Sequence, residues 1–168
     1  MIELIGKVIN KYGGALEIVT NGMLITEDFV NKMEKVNPNT FYQVSIDGLE
    51  SYHNYLRNNE KAYEYAMRGI KIISEHNAKL KIRYTVTDSN YEDLKKLIKV
   101  LEKFNNEKIE LVIRPVVPTG RAKENDLIFS HDFKVLSDLK SNKIKISTTD
   151  NAGKCGCGVN TVAIDSKG

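Results

Sequence analysis

Phe41-Tyr42-Gln43-Val44-Ser45-Ile46-Asp47-Gly48 is the stretch on which the fold turns. Successive side chains of a strand point to opposite faces. Tyr42, Val44 and Ile46 therefore share one face, and Gln43, Ser45 and Asp47 share the other. Three further segments repeat that division. In Leu80–Thr87, Leu80, Ile82, Tyr84 and Val86 oppose Lys81, Arg83, Thr85 and Thr87. In Lys108–Val116, Ile109, Leu111 and Ile113 oppose Glu110, Val112 and Arg114. In Ala15–Thr20, Leu16 and Ile18 oppose Glu17, Val19 and, one residue on, Asn21. Each strand has one apolar face and one face rich in polar groups.

Helical segments separate these strands. Ile2, Ile5, Val8 and Ile9 form a stripe at helical spacing that stops at Gly13-Gly14, a C-cap signal. Thr26 is the predicted N-cap of a helix through Val36, with Phe29, Val30 and Met33 inward. Ala62, Tyr65, Ala66, Ile70 and Ile73 mark another helix, and Tyr91–Phe104 a third. Beyond Pro118 the pattern loosens to a short helix near Phe133–Leu139 and a strand over Lys143–Ser147. Strands alternating with helices predict an α/β fold with a parallel sheet. A doubly wound sheet would need apolar residues on both strand faces, and a closed barrel would fill its interior with branched apolar side chains. Two arrangements remain open: a two-layer sheet with one face in water, or an incompletely closed barrel with a polar lumen.

Bulk properties narrow the class. With 168 residues and 41% hydrophobic content, the chain has the material for one domain with a core. The net charge of +3 is mild, and no basic stripe interleaved with aromatics points to nucleic acid. No apolar run predicts a membrane span or signal peptide. Two cysteines, Cys155 and Cys157, do not make a disulfide framework and fit a reducing cytoplasm.

An ordered set of short motifs resembles radical SAM enzymes. It comprises Thr20-Asn21-Gly22, Val44-Ser45-Ile46-Asp47-Gly48, His53, Arg57, Arg68-Gly69, Thr85-Val86-Thr87 with Asn90, and Arg114-Pro115 through Pro118-Thr119-Gly120-Arg121-Ala122. The closing Cys155-Gly156-Cys157-Gly158 is similar to the opening of a SPASM-type auxiliary-cluster domain, as in anaerobic sulfatase maturases and thioether-forming peptide maturases. The resemblance implies a partial (β/α)₆ TIM-like barrel over residues 1–122, followed by a linker and the beginning of a SPASM-like region over 123–168. It also implies an oxidoreductase that cleaves S-adenosylmethionine with a [4Fe–4S] cluster to modify a peptide or protein substrate. By this resemblance Asn21, Ser45, Asp47, Arg83, Thr85 and Val116 are the expected cofactor-binding residues, and Cys155 and Cys157 the expected metal ligands.

The chain departs from the family pattern at both ends. The Cys-x-x-x-Cys-x-x-Cys cluster loop and the Gly-Gly-Glu-Pro segment, which in the family precede its first helix, are absent; Gly13-Gly14 is followed by Ala15-Leu16. The expectation is an internal fragment of a larger enzyme, or a gene product truncated on both sides. By itself it should lack a radical SAM cluster and be inactive, and it should self-associate through the sheet edge at Ala15–Thr20. Simpler readings stand beside these. Ser45 and Asp47 also suit a polar strand end before a turn, and His53 and Arg57 suit one helix face with Arg57 pairing Glu60. Arg83 and Arg114 suit either a carboxylate-binding cavity or an exposed sheet, and His76 and His131 suit the surface. A non-catalytic α/β module that binds a small ligand or a protein partner is the alternative function.

Overall fold

The computed structural model describes residues 2–76 and 78–149. Helix α1 (Ile2–Tyr12) ends at Gly13, whose φ of 70° lies in the left-handed region and whose N–H donates to the Ile9 carbonyl at 2.7 Å. Strand β1 (Glu17–Thr20) leads to α2 (Glu27–Val36), where Thr26 Oγ1 accepts from the Phe29 N–H at 3.2 Å. Glu27 and Asp28 in its first turn suit the positive end of the helix dipole. Then follow β2 (Phe41–Ser45), α3 (Glu50–Arg57), α4 (Ala62–Glu75) and β3 (Lys79–Val86). The chain continues through α5 (Asp93–Glu102), β4 (Ile109–Pro115), α6 (Arg121–Glu124), α7 (Lys134–Ser137) and β5 (Lys145–Thr148).

The five strands form one sheet in the order β1-β2-β3-β4-β5, every pair parallel. This is an α/β fold with the sequential strand order of a partial TIM-like barrel. The sheet continues to β5, which pairs with β4. The apolar face carries the core. Tyr42, Val44, Leu80, Ile82, Tyr84, Val86, Ile109, Leu111 and Ile113 are buried there, packed with Val30, Met33, Ala66, Ile70, Ile73, Leu94, Leu97 and Leu101 of the helices. Burying each large aliphatic side chain contributes about 1.5–3 kcal/mol, so this face dominates the fold's stability. The opposite face is covered much less: Lys81, Arg83, Thr85, Glu110, Val112 and Arg114 are all half-buried.

Two glycines allow a close approach between a helix and a turn. A Cβ on Gly69 of α4 would lie 2.4 Å from the Gly22 carbonyl oxygen, and Gly22 itself has a φ of +80°. Helix α4 thus rests directly on the turn after β1. Arg68 pins the same turn by donating to the Met23 carbonyl at 3.1 Å.

Candidate functional site

Strand register arranges the polar face in rows. One row runs through Val19, Gln43, Lys81, Glu110 and Lys145. The next runs through Ser45, Arg83, Val112 and Ser147, and the third pairs Thr85 with Arg114. The first row is partly neutralised. Lys145 Nζ lies 3.2 Å from Glu110, the Ser147 hydroxyl donates to Glu110 at 2.8 Å, and Lys81 sits 5.0 Å over the Phe41 ring. Partial burial pushes the Glu110 carboxyl up, but the Ser147 hydroxyl and the Lys145 ammonium outweigh it and hold it below the usual carboxylate range.

The two rows nearer the C-terminal strand ends differ. Among the described residues neither the Arg83 nor the Arg114 side chain has an ion-pair or hydrogen-bond partner, and Arg114 Nε is cut off from solvent without one. Register places the hydroxyl residues Ser45 opposite Arg83 and Thr85 opposite Arg114. A hydroxyl both donates and accepts, and a guanidinium only donates. The arrangement suits a ligand bearing hydroxyls and an anionic group.

A hydrogen-bond network fixes the loops at these strand ends. Asn90 is buried, and its amide donates to the carbonyls of Asp47 at 2.7 Å and Thr85 at 2.9 Å while accepting from the Thr87 N–H at 2.7 Å. Tyr84 donates its hydroxyl proton to the Asn90 carbonyl at 2.8 Å, and the Leu49 N–H donates to Asp93 at 3.2 Å. Tyr52 and Thr87 share a further hydroxyl–hydroxyl hydrogen bond at 3.3 Å. The loop after β2 is thereby tied to the loop after β3.

Asp47 is 6% exposed, and its Oδ2 receives the Arg57 Nε–H at 2.7 Å. Arg57 therefore pairs with Asp47, ten residues back, and not with Glu60. His53 lies 3.5 Å from the same oxygen, but its Nδ1 accepts from the Asp47 N–H at 3.0 Å, so the ring is neutral there. Burial pushes the His53 pKa down; the Asp47 carboxylate opposes that and Arg57 reinforces it.

The other expected residues are placed as follows. Asn21 is exposed after β1, and its Oδ1 accepts from the Met23 N–H at 3.1 Å in an Asx turn. Val116 lies just past β4, half-buried, its N–H bonded to the Val86 carbonyl at 2.9 Å. The structure brings Ser45, Arg83 and Thr85 onto one face together with Arg114. Cys155 and Cys157 lie outside the described residues. His76 differs from the surface reading: its side chain is 14% exposed and bridges Glu27 at 2.7 Å and Glu34 at 3.2 Å. His131 is 45% exposed and stacks on Tyr91. Two hollows, of about 160 Å³ by Glu107 and Lys143 and about 390 Å³ by Asn54 and Glu60, have none of the expected site residues in their walls.

A family model described as Radical SAM superfamily matches residues 1–101. The chain belongs to the radical SAM superfamily. Over 85 residues it is 29% identical to an Fe-coproporphyrin III synthase of Methanosarcina barkeri (strain Fusaro / DSM 804), covering 51% of this chain and 21% of that protein. Over 83 residues it is 25% identical to the sporulation killing factor maturation protein SkfB of Bacillus subtilis (strain 168), covering 49% of this chain and 20% of that one. Each match thus spans about a fifth of the curated relative's length.

Membership of the radical SAM superfamily implies S-adenosylmethionine and an iron–sulfur cluster. The polar face fits the first, with hydroxyls at Ser45 and Thr85. The fit is different for the cluster: among the described residues no group of three or more His, Cys, Asp or Glu side chains is placed to hold a metal. No helix among them is long and apolar enough to cross a membrane.

Proposed function

We propose that this chain provides S-adenosylmethionine-binding strands of a radical SAM maturase, an iron–sulfur oxidoreductase whose intact form modifies a side chain of a peptide or protein. The observation that carries this reading is the single polar face at the C-terminal ends of parallel strands, where α/β proteins place their ligands. The maturation protein among the relatives supports a peptide substrate. Bound beside a reduced [4Fe–4S] cluster, S-adenosylmethionine supplies the 5′-deoxyadenosyl radical. The work of this chain is to bind and orient it. The Ser45 and Thr85 hydroxyls are suited to the ribose or methionyl groups, Asn21 closes the first strand end, and the Asn90 network keeps the strand-end loops in register.

The 168-residue chain holds two cysteines, too few for the three thiolates of a Cys-x-x-x-Cys-x-x-Cys loop. Alone it should bind S-adenosylmethionine without cleaving it. Equilibrium dialysis with labelled S-adenosylmethionine tests the binding, with a roughly tenfold loss expected in Ser45→Val. Anaerobic iron–sulfur reconstitution of the same chain should yield no 5′-deoxyadenosine, and its appearance would refute the inactivity. β1 leaves one strand edge without a partner among the described residues, with Val19 62% exposed beside it. That edge is the proposed self-association surface, and light scattering at rising concentration reads it directly.

A further inference from the structure

We propose that Arg83 and Arg114 form a carboxylate-binding subsite on the polar face, and that its occupant is a carboxylate of the substrate. The inference rests on the reading of that face as the ligand face. Register places Arg83 opposite Val112, and Arg114 two residues further along the same strand. Strand spacing and rise put the two Cα atoms about 8 Å apart. Side chains as long as arginine reach a common point over that distance.

The contrast with the neighbouring row carries the inference. Lys81 and Lys145 flank Glu110, so that row carries an anion of its own, paired with Lys145. Arg83 and Arg114 have no such anion among the described residues. Two like charges side by side on a half-buried sheet repel each other, and the repulsion is screened less than at an exposed surface. Lys145, by comparison, is 67% exposed and pairs with Glu110 at 3.2 Å. Arg114 also keeps an Nε–H out of water with no acceptor among the described residues. A carboxylate between the guanidinium groups would cancel the repulsion and, by turning Arg114 toward itself, give that donor its acceptor. The planar arginine fork matches a carboxylate in a bidentate manner that an ammonium does not. An acidic side chain or a C-terminus is the substrate group with this chemistry. The methionyl carboxylate of S-adenosylmethionine presents the same group, so the two sources must be told apart.

The test is an NMR titration of the full ¹⁵N-labelled chain, reading the arginine Nε–Hε signals. Arg83→Lys and Arg114→Lys assign those signals, since lysine removes the peak and keeps the charge. Glutarate is the probe, added at constant ionic strength against chloride. The expected result is a saturable shift of both signals at millimolar glutarate, weakened about tenfold in each lysine variant and persisting when S-adenosylmethionine is saturating. Backbone amides of Ser45 and Thr85 report S-adenosylmethionine separately. Loss of the glutarate shift on adding S-adenosylmethionine would overturn the assignment to substrate. No saturable glutarate shift, with S-adenosylmethionine still binding, would overturn the subsite and leave the proposed function standing. Glutarate binding without S-adenosylmethionine binding would support the subsite and refute the proposed function.

Discussion

Replacing Asn90 with alanine tests whether the strand ends are held as described. The side chain is 1% exposed and makes three hydrogen bonds, donating to the Asp47 and Thr85 carbonyls and accepting from the Thr87 N–H. A net contribution of about 0.5–1.5 kcal/mol per bond puts the loss near 3 kcal/mol. That is a large share of a typical domain stability of about 5–15 kcal/mol. Urea unfolding should show the lower midpoint at unchanged slope, and the melting temperature should fall by roughly 6–12 °C. Asn90→Asp separates the network from simple loss of volume. It retains an acceptor for Thr87 but turns a carboxylate toward two carbonyl oxygens, so at neutral pH it should be less stable than Asn90→Ala. Those carbonyls raise the folded-state pKa of the new carboxyl above its unfolded value. The resulting penalty is fully present above the folded pKa and fades as pH falls toward the unfolded one, where the protonated group donates again. A loss under about 1 kcal/mol in Asn90→Ala, or an aspartate variant equal to alanine at neutral pH, would refute the reasoning.

Two buried tyrosines give an internal comparison. The Tyr42 hydroxyl has no partner among the described residues and its pKa is pushed up to about 12 by burial and then by Glu34, so Tyr42→Phe should be neutral or stabilising in urea unfolding. The Tyr84 hydroxyl donates to Asn90, and Tyr84→Phe should lose about 1 kcal/mol in the same assay. Gly69→Ala should destabilise by about 1–3 kcal/mol by forcing α4 off the Gly22 turn, with a matching drop in melting temperature. The His76 pKa is raised, chiefly by its hydrogen bond to Glu27, so its contribution is full below the unfolded value near 6.5 and lost as pH rises through the folded one. A stability–pH profile of Glu27→Gln should lack most of that component, and an unchanged profile would refute it.

The sheet was legible because its signal is periodic. Strict alternation over Leu80–Thr87 predicted a strand that forms as Lys79–Val86, and Lys108–Val116 forms as Ile109–Pro115. The Thr26 cap was equally local, and its helix runs to Val36 as read. Helix α3 was harder to see, because His53 is its one fully buried residue and no apolar stripe marks it. The four residues of α6 are too few to show a period. Contacts between distant residues left no mark in the pattern. Asn90 grips a carbonyl 43 positions away, and His76 meets Glu27 across 49. Membership of the superfamily was legible from ordered motifs, whereas the partners of each motif residue needed the fold. Arg68-Gly69 is an example: its meaning lies in the Gly22 turn beneath it.

Asp47 shows how a strand pattern loses authority where the strand stops. Alternation places it on the polar face with Gln43 and Ser45, but β2 ends at Ser45. The Ile46 N–H still reaches the Arg83 carbonyl at 3.0 Å, and then the chain turns. Asp47 is drawn under the loop, where Arg57 holds its carboxylate, His53 accepts its N–H and Asn90 donates to its carbonyl. A buried carboxylate requires such partners, and once it has them its side chain and backbone are locked together. That lock acts two residues upstream. It fixes the direction in which β2 presents Ser45, whose hydroxyl has no hydrogen-bond partner among the described residues. The motif Ser45-Ile46-Asp47-Gly48 thus divides its labour physically: the serine keeps a free hydroxyl on the face, the isoleucine is buried in the core, and the aspartate anchors the turn that aims the serine.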